Sequence, residues 1–222
     1  MSSALPSRDP NAGLVHIDLD DVTLEGNLLV PRAATGVVVF AHGSGSSRFS
    51  SRNRYVADVL RDGGLGTLLI DLLTREEESI DMRTAHLRFD IDLLARRVGG
   101  AVEWLTSNGE TSKLKAGLFG ASTGGGAALV AAAQAPEAVH AVVSRGGRPD
   151  LAGPALQQVV APTLLIVGGD DGPVIGMNRE AYMQMKSVRR MEIIPGASHL
   201  FEEPGALEKV AALACDWFVR YL

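Results

Sequence analysis

The chain has 222 residues, of which 46% are hydrophobic and 21% are charged, and its formal net charge at pH 7 is -5. A chain of this length can bury a sizeable core, and a single α/β domain over residues 1–222 is the simplest prediction. Acidic and basic residues are interspersed; we interpret the one short acidic run, residues 76–78, as a solvated loop. This charge balance argues against nucleic acid or an anionic membrane as a partner.

The sequence shows no sign of export or membrane insertion. The N-terminal stretch MSSALPSRDPNAG lacks the apolar core of a secretory signal, and we expect residues 1–12 to be flexible. No apolar segment approaches the roughly 20 residues that cross a bilayer. Because Cys215 is the single cysteine, an intramolecular disulfide is excluded. These features predict a cytoplasmic location.

The predicted elements alternate along the chain. It opens with a hairpin, residues 14–19 and 22–30, and continues with buried apolar strands at residues 36–41, 67–72, 114–119, 139–144, 163–167 and 191–194. Helical patterns are found at residues 53–61, 86–105, 123–134, 177–185 and 204–221. Strands that are apolar throughout are typical of a sheet covered on both faces. The pattern predicts a mostly parallel sheet of about eight strands with helices on both faces.

One serine is placed where a strand pattern changes to a helix pattern. The segment GLFGASTGGGAALVAAAQ, residues 117–134, puts Ser122 between Gly120 and Gly124. Strand, sharp turn and helix around Gly-x-Ser-x-Gly form the nucleophile-elbow pattern. The turn forces the serine into an unfavourable backbone region, so its neighbours must lack a Cβ. The alternative is a glycine- and serine-rich turn that only caps the helix.

An acid and a base follow later strands. Ligand sites of such sheets lie beyond the carboxyl ends of the strands. The segment TLLIVGGDDGPV presents Asp170 and Asp171 after one strand, and EIIPGASHLF presents His199 after the last. The order serine, acid, histidine is the one that this architecture needs. We therefore predict that the three groups meet at one edge of the sheet.

A glycine-rich loop follows the first buried strand. It reads AHGSG, and its glycines allow close approach of the backbone to a ligand. Stabilisation of a developing oxyanion needs two N–H donors, which we assign to the backbone of Thr123, directly after the serine, and of Ser44. We interpret His42 as a structural histidine that holds this loop by hydrogen bonds.

The motifs AHGSG, GASTGG, VGGDDGPV and PGASHLF, in this order, resemble those of the α/β-hydrolase superfamily, and the compact chain is most similar to the dienelactone hydrolase family. The resemblance extends from about residue 13 to the C-terminus. It implies an α/β-hydrolase fold with minimal or no cap. It also implies a catalytic triad of Ser122, Asp171 and His199. The position of Asp171 within VGGDDGPV favours this aspartate over Asp170 as the triad acid. Dienelactone hydrolases themselves use a cysteine nucleophile, whereas this chain has Ser122.

The implied activity is hydrolysis of small ester, lactone or thioester substrates through an acyl-enzyme intermediate, with no metal or organic cofactor. Amide cleavage or acyl transfer by the same triad is an alternative, because a fold does not fix its reaction. An alternative of another class is a non-catalytic protein that binds a ligand or a partner protein. The complete triad argues against that last alternative. The oligomeric state is not indicated.

Two further segments are candidates for substrate binding. The segment SRGGRPD places Arg145 and Arg148 beyond a strand end, where a guanidinium would hold a carboxylate on the acyl group. Arg145 is nearer the strand end and is the better candidate; a salt bridge that ties down the loop is the alternative. The segment TAHLRFDID adds His86, and we expect Arg88 to pair with Asp92 one helical turn on.

Overall fold

The structure, a computed structural model, describes residues 13–222, so the predicted flexible segment 1–12 lies outside the described residues. The strands are β1 (Leu14–Asp18), β2 (Thr23–Leu29), β3 (Gly36–Ala41), β4 (Gly66–Ile70), β5 (Lys115–Ala121), β6 (Val139–Arg145), β7 (Thr163–Gly168) and β8 (Arg189–Ile194). The helices are α1 (Ser51–Asp62), α2 (Arg75–Thr84), α3 (Ile91–Ser107), α4 (Thr123–Gln134), α5 (Gly172–Gln184) and α6 (Ala206–Tyr221). Two 3-10 segments are Leu87–Phe89 and Pro149–Gln158.

The described strands form one sheet in the order β1-β2-β4-β3-β5-β6-β7-β8. Strand β2 runs antiparallel to both β1 and β4, and the remaining neighbours are parallel. The predicted mostly parallel sheet with a hairpin at one edge is confirmed. Because β3 and β5 to β8 run in one direction, their carboxyl ends meet at a single edge, and the loops that follow them face one another there.

Helices cover the sheet on both faces, as predicted. Side chains alternate along β3: Val37 and Val39 belong to the core under α3 and α4, whereas Val38 and Phe40 belong to the core under α1 and α6. All six residues of β3 are buried, since both of its faces are covered. This explains why the central strands read as continuous apolar runs.

The acidic run at residues 76–78 is a helix and not the solvated loop that we expected. It lies in the first turn of α2, where acidic side chains interact favourably with the positive end of the helix dipole. Thr74 and Glu77 form a capping box in which each side chain accepts the other residue's backbone N–H. The pattern was missed because α2 buries only Asp81, so it shows no apolar stripe.

The expected helix over residues 86–105 begins only at Ile91, after a separate 3-10 turn. The side chain of Asp90 accepts the N–H of Leu93 and so caps α3. The prediction that Arg88 pairs with Asp92 is wrong. Arg88 instead forms a salt bridge with the buried Asp81, which fastens the 3-10 turn to α2.

Two other boundaries differ from the prediction. Helix α5 begins at Gly172, five residues earlier than expected, and its second residue, Pro173, suits the first turn of a helix. The 3-10 segment Pro149–Gln158 was not predicted at all, since Gly153 and Pro154 interrupt any helical pattern there.

No helix among residues 13–222 is long and apolar enough to cross a membrane. The same residues contain no group of three or more His, Cys, Asp or Glu side chains arranged to hold a metal ion.

Candidate active site

Ser122 occupies a strained turn between β5 and α4. Its backbone angles are φ 50° and ψ -121°, a region that residues with a side chain rarely adopt. The turn is held by two hydrogen bonds at the end of β6 and in the loop that follows it. The Ser122 N–H donates to the carbonyl of Arg145, the last residue of β6, at 3.2 Å, and the Ser122 carbonyl accepts the N–H of Arg148 in the loop at 3.0 Å. The Ser122 hydroxyl makes no capping bond to α4. A turn that serves only as a helix cap therefore does not describe this site.

The two glycines that flank the serine are required by close backbone contacts. A Cβ on Gly120 would lie 2.4 Å from the carbonyl oxygen of Gly124, and a Cβ on Gly124 would lie 2.3 Å from that of Ala41. Real Cβ atoms do not approach so closely, and a backbone carbonyl cannot turn aside as a flexible side chain can. The Gly-x-Ser-x-Gly pattern is therefore explained by the lack of space for a Cβ at either glycine.

We expect Gly124→Ala to destabilise the fold, because the new methyl group collides with the β3 backbone. Overpacking of this kind costs about 1–3 kcal/mol, which thermal unfolding detects as a lower Tm. Gly99→Ala is the matched control, since a Cβ at Gly99 in α3 meets nothing within 4 Å. That control should keep or raise the Tm, because alanine is the better helix former. Equal Tm values for the two variants would contradict the steric explanation.

The predicted acid and base lie beside the serine. His199, in the loop after β8, has its Nδ1 2.6 Å from Oδ2 of Asp171 and its Nε2 3.3 Å from Oγ of Ser122. Asp171 directly precedes α5, but its side chain makes no capping bond and is available to the histidine. Asp170 is exposed, and its N–H donates to the carbonyl of Ala197. The contact with His199 is therefore made by the aspartate that the resemblance favoured.

The hydrogen bonds from Asp171 to His199 and on to Ser122 allow a proton to be removed from the serine hydroxyl. A carboxylate at Nδ1 accepts a hydrogen bond from the N–H of that nitrogen and so fixes the tautomer in which Nε2 carries no proton. Nε2 can then accept the proton of the Ser122 hydroxyl, and the carboxylate of Asp171 stabilises the imidazolium that results.

The loop after β3 approaches the serine closely. A Cβ on Gly43 would lie 3.1 Å from Cβ of Ser122, so the loop backbone passes directly beside the hydroxyl-bearing carbon. Ser44 lines the same cavity as Ser122, and its N–H has no acceptor within the described residues. Thr123 is the first residue of α4, where N–H groups have no partner inside the helix. The two expected N–H donors therefore flank Ser122.

His42 fastens this loop to the end of β4, which confirms its interpretation as a structural residue. Its Nε2 accepts the backbone N–H of Leu72 at 3.1 Å, and its Nδ1 lies 2.9 Å from the carbonyl oxygen of Gly43, to which it donates. This pattern requires the neutral ring. Burial lowers the pKa of His42 and so favours the same neutral form.

Two cavities lie on either side of the loop. The first, of about 250 Å³, contains the serine and the histidine. Its lining consists of Gly43, Ser44, Ser46, Ser50, Arg52, Asn53, Ala121, Ser122, Arg145, His199 and Leu200. The second, of about 270 Å³, shares the residues Gly43, Ser44 and Ser46 and extends toward α2 and α3. We call them the serine cavity and the α2 cavity.

Arg145, the last residue of β6, lines the serine cavity. Its side chain is buried, with 7% of its surface exposed, and its Nε and Nη1 have no hydrogen-bond partner among the described residues. Burial, with a smaller contribution from the positive charge of Arg52, lowers the pKa of Arg145 to about 10. The guanidinium therefore remains charged at pH 7. Arg148, by contrast, forms the loop salt bridge, with Asp150 at 2.7 Å.

His86 is not brought to the serine. It is exposed, its Nδ1 lies 2.7 Å from Oγ1 of Thr84, and it lines neither cavity. Sequence reasoning missed Arg52 instead. This residue lies in the first turn of α1 and lines the serine cavity. The only available signal was its place shortly after the glycine-rich loop.

Comparison with known proteins gives close relatives over most of the chain. A Mycobacterium tuberculosis (strain H37Rv) protein, provisionally named a phosphoribosyl transferase, is 55% identical over 217 residues, which is 98% of this chain but 47% of the relative. The chain thus spans about half the length of the curated relatives it matches. The crystal structure of a dienelactone hydrolase from Anabaena variabilis superposes with a TM-score of 0.93 and 66% identity, over 94% of this chain and 97% of that one.

More distant structures share the fold. Est1E from Butyrivibrio proteoclasticus superposes with a TM-score of 0.78 at 16% identity, over 94% of this chain and 98% of that one. The model of the dienelactone hydrolase family matches residues 24–222, a span that includes the strained serine turn, both cavities and the loops that carry Asp171 and His199. With this match over most of its length, the chain belongs to the dienelactone hydrolase family.

Proposed function

We propose that the protein is a serine hydrolase that cleaves small ester, lactone or thioester substrates through an acyl-enzyme intermediate. The observation that carries the proposal is the hydrogen-bonded series from Asp171 through His199 to Ser122 at a strained turn. Such a series activates a hydroxyl that is otherwise a weak nucleophile at neutral pH. The serine cavity, at about 250 Å³, suits a small substrate.

Each group has one role in the proposed reaction. His199 Nε2 takes the proton of Ser122 as Oγ attacks the carbonyl carbon, and the N–H groups of Ser44 and Thr123 stabilise the oxyanion. His199 then returns the proton to the leaving atom, and the carbon–heteroatom bond breaks to give the acyl-enzyme. Water, deprotonated by the same histidine, attacks that ester and releases the acid. Asp171 orients the imidazole throughout.

The relatives support the reaction class at different levels. The family model and the Anabaena variabilis enzyme point to hydrolase chemistry. Est1E, which shares the fold, has been crystallised with ferulic acid, a small aromatic acid. The transferase name belongs to a relative about twice as long as this chain. We infer that the shared part is the hydrolase-like part of that protein, because the family model covers residues 24–222 here.

A panel of acyl groups on one leaving group tests the proposal. We expect hydrolysis of para-nitrophenyl acetate and butyrate, and a steep fall in kcat/KM with long acyl chains, since neither cavity exceeds about 270 Å³. The matched amide, para-nitroacetanilide, should be cleaved far more slowly. Preferential cleavage of the amide would favour the amidase alternative. Absence of activity on every ester and thioester would contradict the proposed function.

A further inference from the structure

We propose that the serine cavity binds an oxyanion, a phosphate or carboxylate group, carried by the leaving-group half of the substrate. This inference rests on the proposed hydrolase function and names a substrate class for it. It goes beyond the sequence-based expectation, in which Arg145 held a carboxylate on the acyl group.

The first observation is an uncompensated buried charge. Three arginines among the described residues are buried, and two of them have carboxylate partners: Arg48 pairs with Glu25 and Asp71, and Arg97 pairs with two other acids. Arg145 has no carboxylate within salt-bridge distance among these residues, and two of its nitrogens are buried without a hydrogen bond. A buried charge is costly unless it is paired. An anionic ligand would supply the missing partner.

The second observation is that other features of the same cavity favour an anion. Helix α1 begins at the cavity wall, its cap is Ser50, and its first turn contains no acidic residue. Helix N-termini attract oxyanions through their free N–H groups and the helix dipole. Arg52, in that first turn, also lines the cavity, and its Nε is buried without a partner. Its Nη1 lies 3.2 Å from Glu202, a largely exposed carboxylate that offsets this charge only weakly.

The position of the two arginines indicates which half of the substrate they face. The Arg145 guanidinium lies 5.9 Å from the ring centre of Phe201, two residues after His199, and Arg52 contacts Glu202 in the same segment. Both positive groups therefore lie on the histidine side of Ser122. His199 must protonate the leaving atom, so the leaving group lies on that side as well.

The α2 cavity has the opposite character. Its acidic lining residues are Asp71, Glu78 and Asp81, and only the first and last are paired with arginines. The lining also includes Arg88, whose charge is paired with Asp81, and the apolar side chains of Leu72, Leu73, Met82 and Leu94. An uncharged acyl group fits this environment, whereas a carboxylate on the acyl group would be repelled by Glu78.

Matched ester pairs test the inference. On the leaving-group side, para-acetoxybenzoate is compared with its neutral methyl ester, and para-acetoxyphenyl phosphate is compared with the neutral ester para-acetoxyanisole. On the acyl side, the para-nitrophenyl monoester of adipic acid is compared with para-nitrophenyl hexanoate. One charge-assisted bond predicts that kcat/KM favours the leaving-group anions by about ten- to a hundredfold. The acyl-side anion should show no such preference. Whichever leaving-group anion is favoured more identifies phosphate or carboxylate as the better ligand.

Variants separate a binding role of Arg145 from a structural one. Arg145→Gln should lower the anionic-to-neutral ratio of kcat/KM by about tenfold or more, and a ratio is insensitive to partial loss of folded enzyme. Arg148→Gln, three residues further along the chain, is the matched control. Because the salt bridge of Arg148 with Asp150 lies outside the cavity, this variant should leave the ratio unchanged. Arg145→Met should not lower the Tm, because it removes a buried charge that has no partner.

The outcomes are distinct from those of the hydrolase test. Cleavage of the neutral acetates without any preference for the leaving-group anions would overturn this inference and leave the hydrolase proposal standing. A preference for the acyl-side anion would also overturn it. An equal fall of the anionic-to-neutral ratio of kcat/KM in Arg148→Gln and Arg145→Gln would overturn it too. So would a fall in Tm of several degrees in Arg145→Met. Either result would mean that Arg145 has a structural role and does not bind the substrate.

Discussion

Ser122→Ala is expected to reduce the hydrolysis of para-nitrophenyl acetate by about 10⁴-fold or more. Without Oγ there is no atom to form the acyl-enzyme, and His199 and the N–H donors have no attacking group to assist. The loss should appear in kcat under saturating substrate, with an unchanged Tm, because the hydroxyl supports no helix cap.

A serine of another kind provides the control for this variant. The Ser79 hydroxyl bonds to the carbonyl of Arg75 on the exposed surface of α2. Ser79→Ala should therefore retain wild-type turnover. Substantial turnover in Ser122→Ala would show that the ester is cleaved elsewhere on the chain.

Asp171→Asn is expected to lower kcat by about 10⁴-fold, as amidation of a triad aspartate does in serine proteases. An asparagine amide can donate to Nδ1 of His199, and the imidazole then carries its proton on Nε2, where it cannot accept that of Ser122. The 2.6 Å contact between His199 and Asp171 makes this effect specific to one of two adjacent aspartates.

Asp170→Asn is the matched control for that variant. Asp170 is exposed and makes its recorded contact, to Ala197, through its backbone N–H, which the substitution retains. Its kcat should stay within a few-fold of the wild-type value. A larger loss in Asp170→Asn than in Asp171→Asn would reverse the assignment.

Two kinds of feature could be predicted from the sequence: strands that are buried and apolar throughout, and turns in which only glycine fits. Strands β3 and β5 are buried on both faces, so their sequences contain almost no polar residues and are easily recognised. The serine turn was recognisable because Gly120 and Gly124 leave no space for a Cβ. Since parallel strands end at one edge, the residues that follow them could be expected to meet there.

The parts that could not be predicted depend on polar contacts across the fold. Helix α2 is stabilised by its capping box and by the salt bridge from Asp81 to Arg88, neither of which produces an apolar period. Likewise, the sequence predicts that Arg145 follows a strand. It does not show that Arg148 pairs with the nearby Asp150, whereas Arg145 has no carboxylate partner among residues 13–222. That distinction needs the positions of side chains that are distant in sequence.

Labelling with a fluorophosphonate probe, followed by peptide mass spectrometry, tests most directly whether Ser122 is an activated nucleophile. The probe reacts with a serine whose proton a neighbouring base removes, so it reports on Ser122 and His199 together. We predict a single labelled residue, Ser122, with labelling lost in Ser122→Ala and strongly slowed in His199→Ala. Labelling that survives in Ser122→Ala, or a wild-type chain that the probe does not modify, would contradict the proposed mechanism.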